Sequence, residues 1–107
     1  MMGSPSYCYK EFMREYVRIN VRLSKYEKIY TDEYLKSLNE EELENLVRRL
    51  NKSHKSYAHF TAGVAVAHCT EEWYNSCDML NASAGAIGEF MELVGVYDPD
   101  DVDFEEE

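Results

Sequence analysis

Three stretches of this chain repeat apolar residues at alternating steps of three and four, the spacing that lines one face of an α-helix. The first runs through Tyr9, Phe12, Tyr16, Ile19, Leu23, Tyr26 and Tyr30. The second is Leu43, Val47, Leu50, His54, Tyr57, Thr61, Val64 and His68, and the third is Trp73, Cys77, Leu80, Ala84, Ile87, Met91 and Val94. A strand would alternate faces at every residue, and Val17, Ile19, Val21 and Leu23 offer that rival pattern inside the first stretch. The helical rhythm there runs far longer, so the spacing predicts helix. The chain is read as all-α.

End signals agree with the rhythm. Ser4 is placed to cap the first helix and Pro5 suits its first turn, where the missing N–H costs nothing. Asn39 and Glu42 form a capping-box pair ahead of the second pattern. Thr70, followed by Glu71 and Glu72, is the expected cap of the third, and Gly95 with Pro99 its stop. The intervening TDEYLKSL has room for one or two extra helical turns. Patterns two and three in line would span ~80 Å at 1.5 Å per residue, too long for so small a domain. A turn near Cys69–Glu71 is therefore predicted to fold them back on each other, setting Val64 near Cys77, Tyr57 near Ala84 and Leu50 near Met91. The resulting expectation is an antiparallel helical bundle of three long helices plus a short connecting helix. It occupies residues 1–96, and an acidic tail, disordered or loosely packed, follows over 97–107.

Charge narrows the function. The formal net charge is −10, unevenly spread. Residues 1–30 carry six basic and three acidic side chains, whereas residues 71–107 carry twelve carboxylates and no Lys or Arg. So acidic a chain is a poor general nucleic-acid binder, because neutralising phosphate dominates that affinity. One basic stripe survives on the first helix: Lys10, Arg14, Arg18, Arg22, Lys25 and Lys28 gather opposite its apolar seam. No run of ~20 apolar residues is available to span a membrane, and the N-terminus has no apolar export signal. Three cysteines at irregular spacing make no disulfide framework, so a reducing cytoplasm is expected, a host's cytoplasm for a viral protein.

Chemistry-bearing residues are few. In an up-down-up bundle, Cys8, His68, Cys69 and Cys77 fall at one end, but no CxxC or HxxxH pair supports a zinc site, and none is expected. Glu41-x-x-Glu44 and Glu89-x-x-Glu92 place two carboxylates on each of two helices, as metal-dependent helical enzymes do. No Glu-x-x-His accompanies them, and they fall off the seams, toward solvent. Gly63, Gly85 and Gly88 sit inside helical patterns rather than in a phosphate-cradling loop. No nucleophile elbow occurs. Neither an enzyme nor a cofactor is expected.

Two features point to contact surfaces. Small residues crowd NASAGAIG and TAGVAVA, leaving Ala62, Gly63, Val66, Ala82, Gly85, Ala86 and Gly88 as a candidate homo-oligomer interface, since in-helix glycines lower stability unless another backbone approaches. The C-terminal acids Asp98, Asp100, Asp101, Asp103, Glu105, Glu106 and Glu107 are too charged to fold alone, yet Phe104 punctuates them. Their expected counterpart is a basic partner surface, or in its absence the far end of the stripe at Arg22, Lys25 and Lys28; Arg14, Arg18, Arg22 and Lys25 are themselves candidate partner-binding residues. Tyr7, Tyr9, Tyr16, Tyr26, Tyr30 and Tyr34 enrich the first third, four of them on its seam. The function these features fit is protein–protein contact by a non-catalytic adaptor or inhibitor, of the type viruses and phages use as accessory proteins against nucleic-acid-handling machines. The alternatives are nucleic-acid regulation through the basic stripe, a small metal-dependent helical enzyme, and a homo-oligomeric structural subunit.

Overall fold

The structure, a computed structural model, describes residues 5–22, 29–53 and 58–95. All regular structure among them is helical: α1 (Pro5–Arg22), α2 (Asp32–Ser37), α3 (Glu40–Ser53), α4 (Ala58–Glu72) and α5 (Cys77–Val94). The expected Ser4 cap, the seam residues Leu23, Tyr26, His54 and Tyr57, the basic Lys25 and Lys28, and the acidic tail all lie outside the described residues.

Local signals place the ends. Pro5 opens α1. Thr31 caps α2, its hydroxyl accepting from the Tyr34 N–H at 3.2 Å. Asn39 and Glu42 make the reciprocal capping box: Asn39 Oδ1 accepts from the Glu42 N–H at 2.8 Å, and the Asn39 N–H donates to Glu42 Oε1 at 2.9 Å. Gly95 ends α5 at φ 82°, and its N–H donates to the carbonyls of Met91 at 2.9 Å and Glu92 at 3.1 Å. The left-handed conformation at this cap is open to glycine at no steric cost.

The turn between α4 and α5 corrects the sequence reading. Thr70 is not a cap: it lies in the last turns of α4, and its hydroxyl donates back to the Val66 carbonyl at 2.9 Å. The cap is Ser76, whose hydroxyl accepts from the Met79 N–H at 3.3 Å. A threonine hydroxyl can satisfy itself on its own helix, so Thr-Glu-Glu does not by itself require a helix start.

A second correction concerns the long middle pattern, which is two helices rather than one. Ser6 donates to Glu40 at 3.1 Å and Tyr9 to Glu44 at 2.7 Å, so α3 rises in the same direction as α1. Trp73, just past α4, packs against Tyr7 and Phe12 with tilted rings while His68 meets Glu15 at 2.8 Å, so α4 descends. α5 rises again, with Met79 beside Cys8 and Phe90 against Phe12 and Tyr16. A single helix over 40–69 would reach ~45 Å, against ~27 Å for α1 at 1.5 Å per residue, and its overhang would leave apolar surface in water. Folding it back buries both halves against α1.

α1 is the centre of the molecule, touching α3, α4 and α5. Its core face is correspondingly wide: Cys8, Tyr9, Phe12, Met13, Tyr16, Val17 and Val21 are buried. The seam seen in the sequence matches this face at Tyr9, Phe12 and Tyr16 and then leaves it at Ile19, which is half-buried. A strict seven-residue seam drifts ~20° per heptad around a straight helix, so Val17 and Val21 take over. On α5 the core residues are Met79, Ser83, Ala86, Phe90 and Val94. The expected Cys77 and Ala84 are exposed, because Phe90 and Met79 set the phase of a helix whose small residues offer little contrast between faces.

Candidate functional site

An open groove of about 380 Å³ lies where α1, α3 and α5 meet, lined by Tyr9, Glu40, Glu44, Arg48, Glu89, Glu92 and Leu93. Spacing explains its walls. Glu40, Glu44 and Arg48 follow one another at steps of four and share one face of α3. Glu89 and Glu92 lie beside Leu93 on the flank of α5. Tyr9 comes from the buried face of α1, and its hydroxyl reaches the groove to donate to Glu44 Oε2 at 2.7 Å. Burial, the hydrogen bond to Glu44, and the charges of Glu44, Glu40 and Glu89 all push the Tyr9 phenol well above its ordinary value. Four carboxylates therefore face one arginine in this groove. Two of them are held by hydroxyls, Glu40 by Ser6 at 3.1 Å and Glu44 by Tyr9. Glu89 and Glu92 are exposed.

Three of these four glutamates belong to the carboxylate pairs seen in the sequence. Glu44, Glu89 and Glu92 come together as that spacing implied, but Glu40 replaces Glu41, which is exposed outside the groove. Their charge is spread rather than focused. Among the described residues no three His, Cys, Asp or Glu side chains are placed to hold a metal ion together.

A smaller groove of about 270 Å³ on the other flank of α1 is lined by Glu11, Glu15, Arg18, His68, Cys69, Glu71 and Glu72. Glu15 is its hub, 2.8 Å from His68 Nδ1 and 3.1 Å from Arg18. Arg18 also holds Asp32 at 2.8 Å, which lowers the Asp32 pKa and ties α2 to α1. Arg14 pairs with Glu11. Two members of the basic stripe are thus occupied by carboxylates of their own chain. The i,i+3 spacing of Glu11 with Arg14 and of Glu15 with Arg18 was present in the sequence, whereas the reach of Asp32 to Arg18 was not. Arg22 is exposed.

The sulfur groups do not converge into a centre. Cys8 is buried and donates to the Met79 carbonyl at 3.9 Å, Cys69 is buried and donates to the Glu11 carbonyl at 3.7 Å, and Cys77 is exposed. Burial, reinforced by Glu15, Glu11 and Glu72, pushes the Cys69 thiol up to about 12, and burial with Glu11 raises Cys8 as well. Both are disfavoured as thiolates, the form that attacks or binds metal. His68, read as a seam residue, is exposed.

Of the candidate oligomer residues, Ala62 and Ala86 are fully buried in the chain's own core, while Val66, Ala82 and Gly88 are half-buried. Gly63 and Gly85 are exposed, and a Cβ added at either would meet nothing within 4 Å. Among the described residues no other backbone comes within 4 Å of either added Cβ. The Asp98–Glu107 acids and Phe104 lie outside the described residues, as does Lys25. No known protein family, no curated protein and no solved structure matches this chain.

Proposed function

We propose that this is a non-catalytic binding protein, an adaptor or inhibitor, that recognises a basic surface on another protein. The observation that carries the reading is the groove between α1, α3 and α5, where Glu40, Glu44, Glu89 and Glu92 face a single arginine on a chain of net charge −10. A lysine or arginine of a partner entering this groove gains charge-assisted hydrogen bonds to carboxylates already oriented by Ser6 and Tyr9. Engagement of Arg14 and Arg18 by Glu11, Glu15 and Asp32 weakens the nucleic-acid alternative, since those cations are no longer available to phosphate. No helix among the described residues is long and apolar enough to cross a membrane.

The test uses an arginine-rich peptide of ~12 residues titrated into the isotope-labelled full chain. Expected are amide shifts at Tyr9, Glu44 and Leu93, and binding that weakens steeply with salt. Replacing Glu40, Glu44, Glu89 and Glu92 with Gln should lower affinity about tenfold, exposed pairs contributing ~0–1 kcal/mol each. Unchanged affinity in that variant, together with loss on removing residues 97–107, would move the recognition from the groove to the tail.

A further inference from the structure

Between Ala58 and Ala67, α4 carries apolar residues on its outward side as well as on its core side, with His59 and His68 on its flanks and Glu71 at the end of the outward face. Ala58, Thr61, Ala62, Ala65 and Cys69 face the core. On the opposite side Phe60, Gly63 and Ala67 are exposed and Val64 half-buried, with Phe60 70% accessible. An amphipathic surface helix turns polar residues outward, whereas the 60–67 stretch of α4 turns Phe60, Gly63, Val64 and Ala67 outward. No Lys, Arg, Asp or Glu occurs between Lys55 and Glu71, the longest such interval in a chain of 32 charged residues. We infer that the Phe60–Gly63–Val64–Ala67 face of α4 is a self-association surface, occupied by the same face of a second copy in antiparallel two-fold contact. This does not rest on the acidic groove.

Two observations select a second copy. The first is charge. Two chains of net charge −10 repel wherever their carboxylates face each other, and the Phe60–Ala67 stretch, with Glu71 only at its edge, carries no carboxylate to set against another. The second is shape. Positions 60, 63, 64 and 67 are symmetric about the midpoint between Gly63 and Val64. A two-fold axis there sets each Phe60 ring against Ala67 of the other copy, large against small, twice over. It also brings the two Gly63 positions together at the axis. A Cβ at Gly63 meets nothing within 4 Å in the single chain, so the space that glycine leaves is open for the second helix. An isologous interface needs this self-complementarity. The face keeps Gly63 of the expected interface, while Ala62 and Ala86 are buried in the chain's own core. One helix face buries less than the ~800 Å² per partner of a standard interface, so the association is a weak, concentration-dependent one.

Sedimentation equilibrium of the full chain from ~5 to ~500 µM is the direct test, with a dimer of the 12.5 kDa chain expected at the upper end. Raising salt should strengthen the dimer, because it screens acid–acid repulsion, whereas it weakens peptide binding at the acidic groove; the two readings therefore fail separately. Phe60→Glu should give a monomer at every concentration with unchanged helical circular dichroism, since Phe60 contributes little to the core. Gly63→Cys in a Cys77→Ser background should cross-link on oxidation as a dimer, because disulfides require Cα atoms roughly 4.4–6.8 Å apart. A monomeric unmodified chain across that range, a dimer that persists in Phe60→Glu, or a Gly63→Cys variant that stays uncross-linked would overturn the inference.

Discussion

Two glycine-to-alanine substitutions, one within α5 and one at its C-terminal cap, should change stability in opposite directions, although an added Cβ at either site meets only open space. Gly85 lies mid-helix, exposed, with ordinary helical backbone. Gly85→Ala removes unfolded-state freedom and restores helix propensity without displacing any neighbour, so a gain of ~1 kcal/mol is expected. Gly95 has φ 82°, in the left-handed region where a Cβ crowds the following carbonyl. Gly95→Ala should therefore lose about 1–2 kcal/mol. Urea unfolding followed by circular dichroism separates the two. With a slope of ~1–2 kcal/mol per molar, the midpoint moves up by about 0.5–1 M for Gly85→Ala and down by at least that for Gly95→Ala. These runs belong at low micromolar concentration, so that self-association does not contribute. A loss of stability in Gly85→Ala would show that backbone packs against this position, and would refute the account of an unoccupied helix face.

Phe90→Ala should lower stability by ~3–5 kcal/mol, enough to unfold a marginal domain; its ring packs 5.6 Å from Phe12 and 5.8 Å from Tyr16, and a melt that moves by only a few degrees would contradict that core. Alkaline pH should weaken the fold. Tyr9, Tyr16 and Cys69 are held neutral by burial, with Tyr16 and Cys69 pushed up to about 12, so the unfolded chain releases protons first. Stability is then complete below the ordinary thiol and phenol values and falls as pH rises from ~9 toward ~12; at about pH 10.5 Cys69 alone accounts for about 2 kcal/mol. Urea midpoints of Cys69→Ala at ~pH 8 and ~pH 10.5 should differ less than those of the unmodified chain, and an equal difference would remove Cys69 from the explanation. Ser76→Ala should cost ~1 kcal/mol by uncapping α5; the same change at Thr70, a mid-helix hydroxyl bonded to its own helix, should cost less, and the reverse order would restore Thr70 as the cap.

Features that depend on neighbours along the chain could be read from the sequence. The all-α class, Pro5 at a helix start, the Asn39–Glu42 box, the turns at 32–37 and the Gly95 stop rest on bonds within one helical turn, and each stands in the structure. The pairing of Glu44 with Glu89 and Glu92 was half visible, because i,i+3 spacing shows which carboxylates share a helix side but not which side meets another helix. Tyr9 read as one more seam residue, since nothing local shows that its hydroxyl emerges beside Glu44.

What the sequence could not settle was decided by contacts between helices distant along the chain. An apolar rhythm is the same whether a helix runs on or stops and folds back, so Leu43 through His68 looked like one element. The reversal of direction from α3 to α4 depends on how much of each face α1 can cover. The phase of α5 depends on Phe90 finding Phe12 and Tyr16, and the pairing of Arg18 with Asp32 on a carboxylate that only the folded chain brings within reach. Hydrogen bonds within a turn act over four residues and are written locally. Burial is shared among whole helices, and which of two apolar faces is covered is fixed only when the others have taken their places.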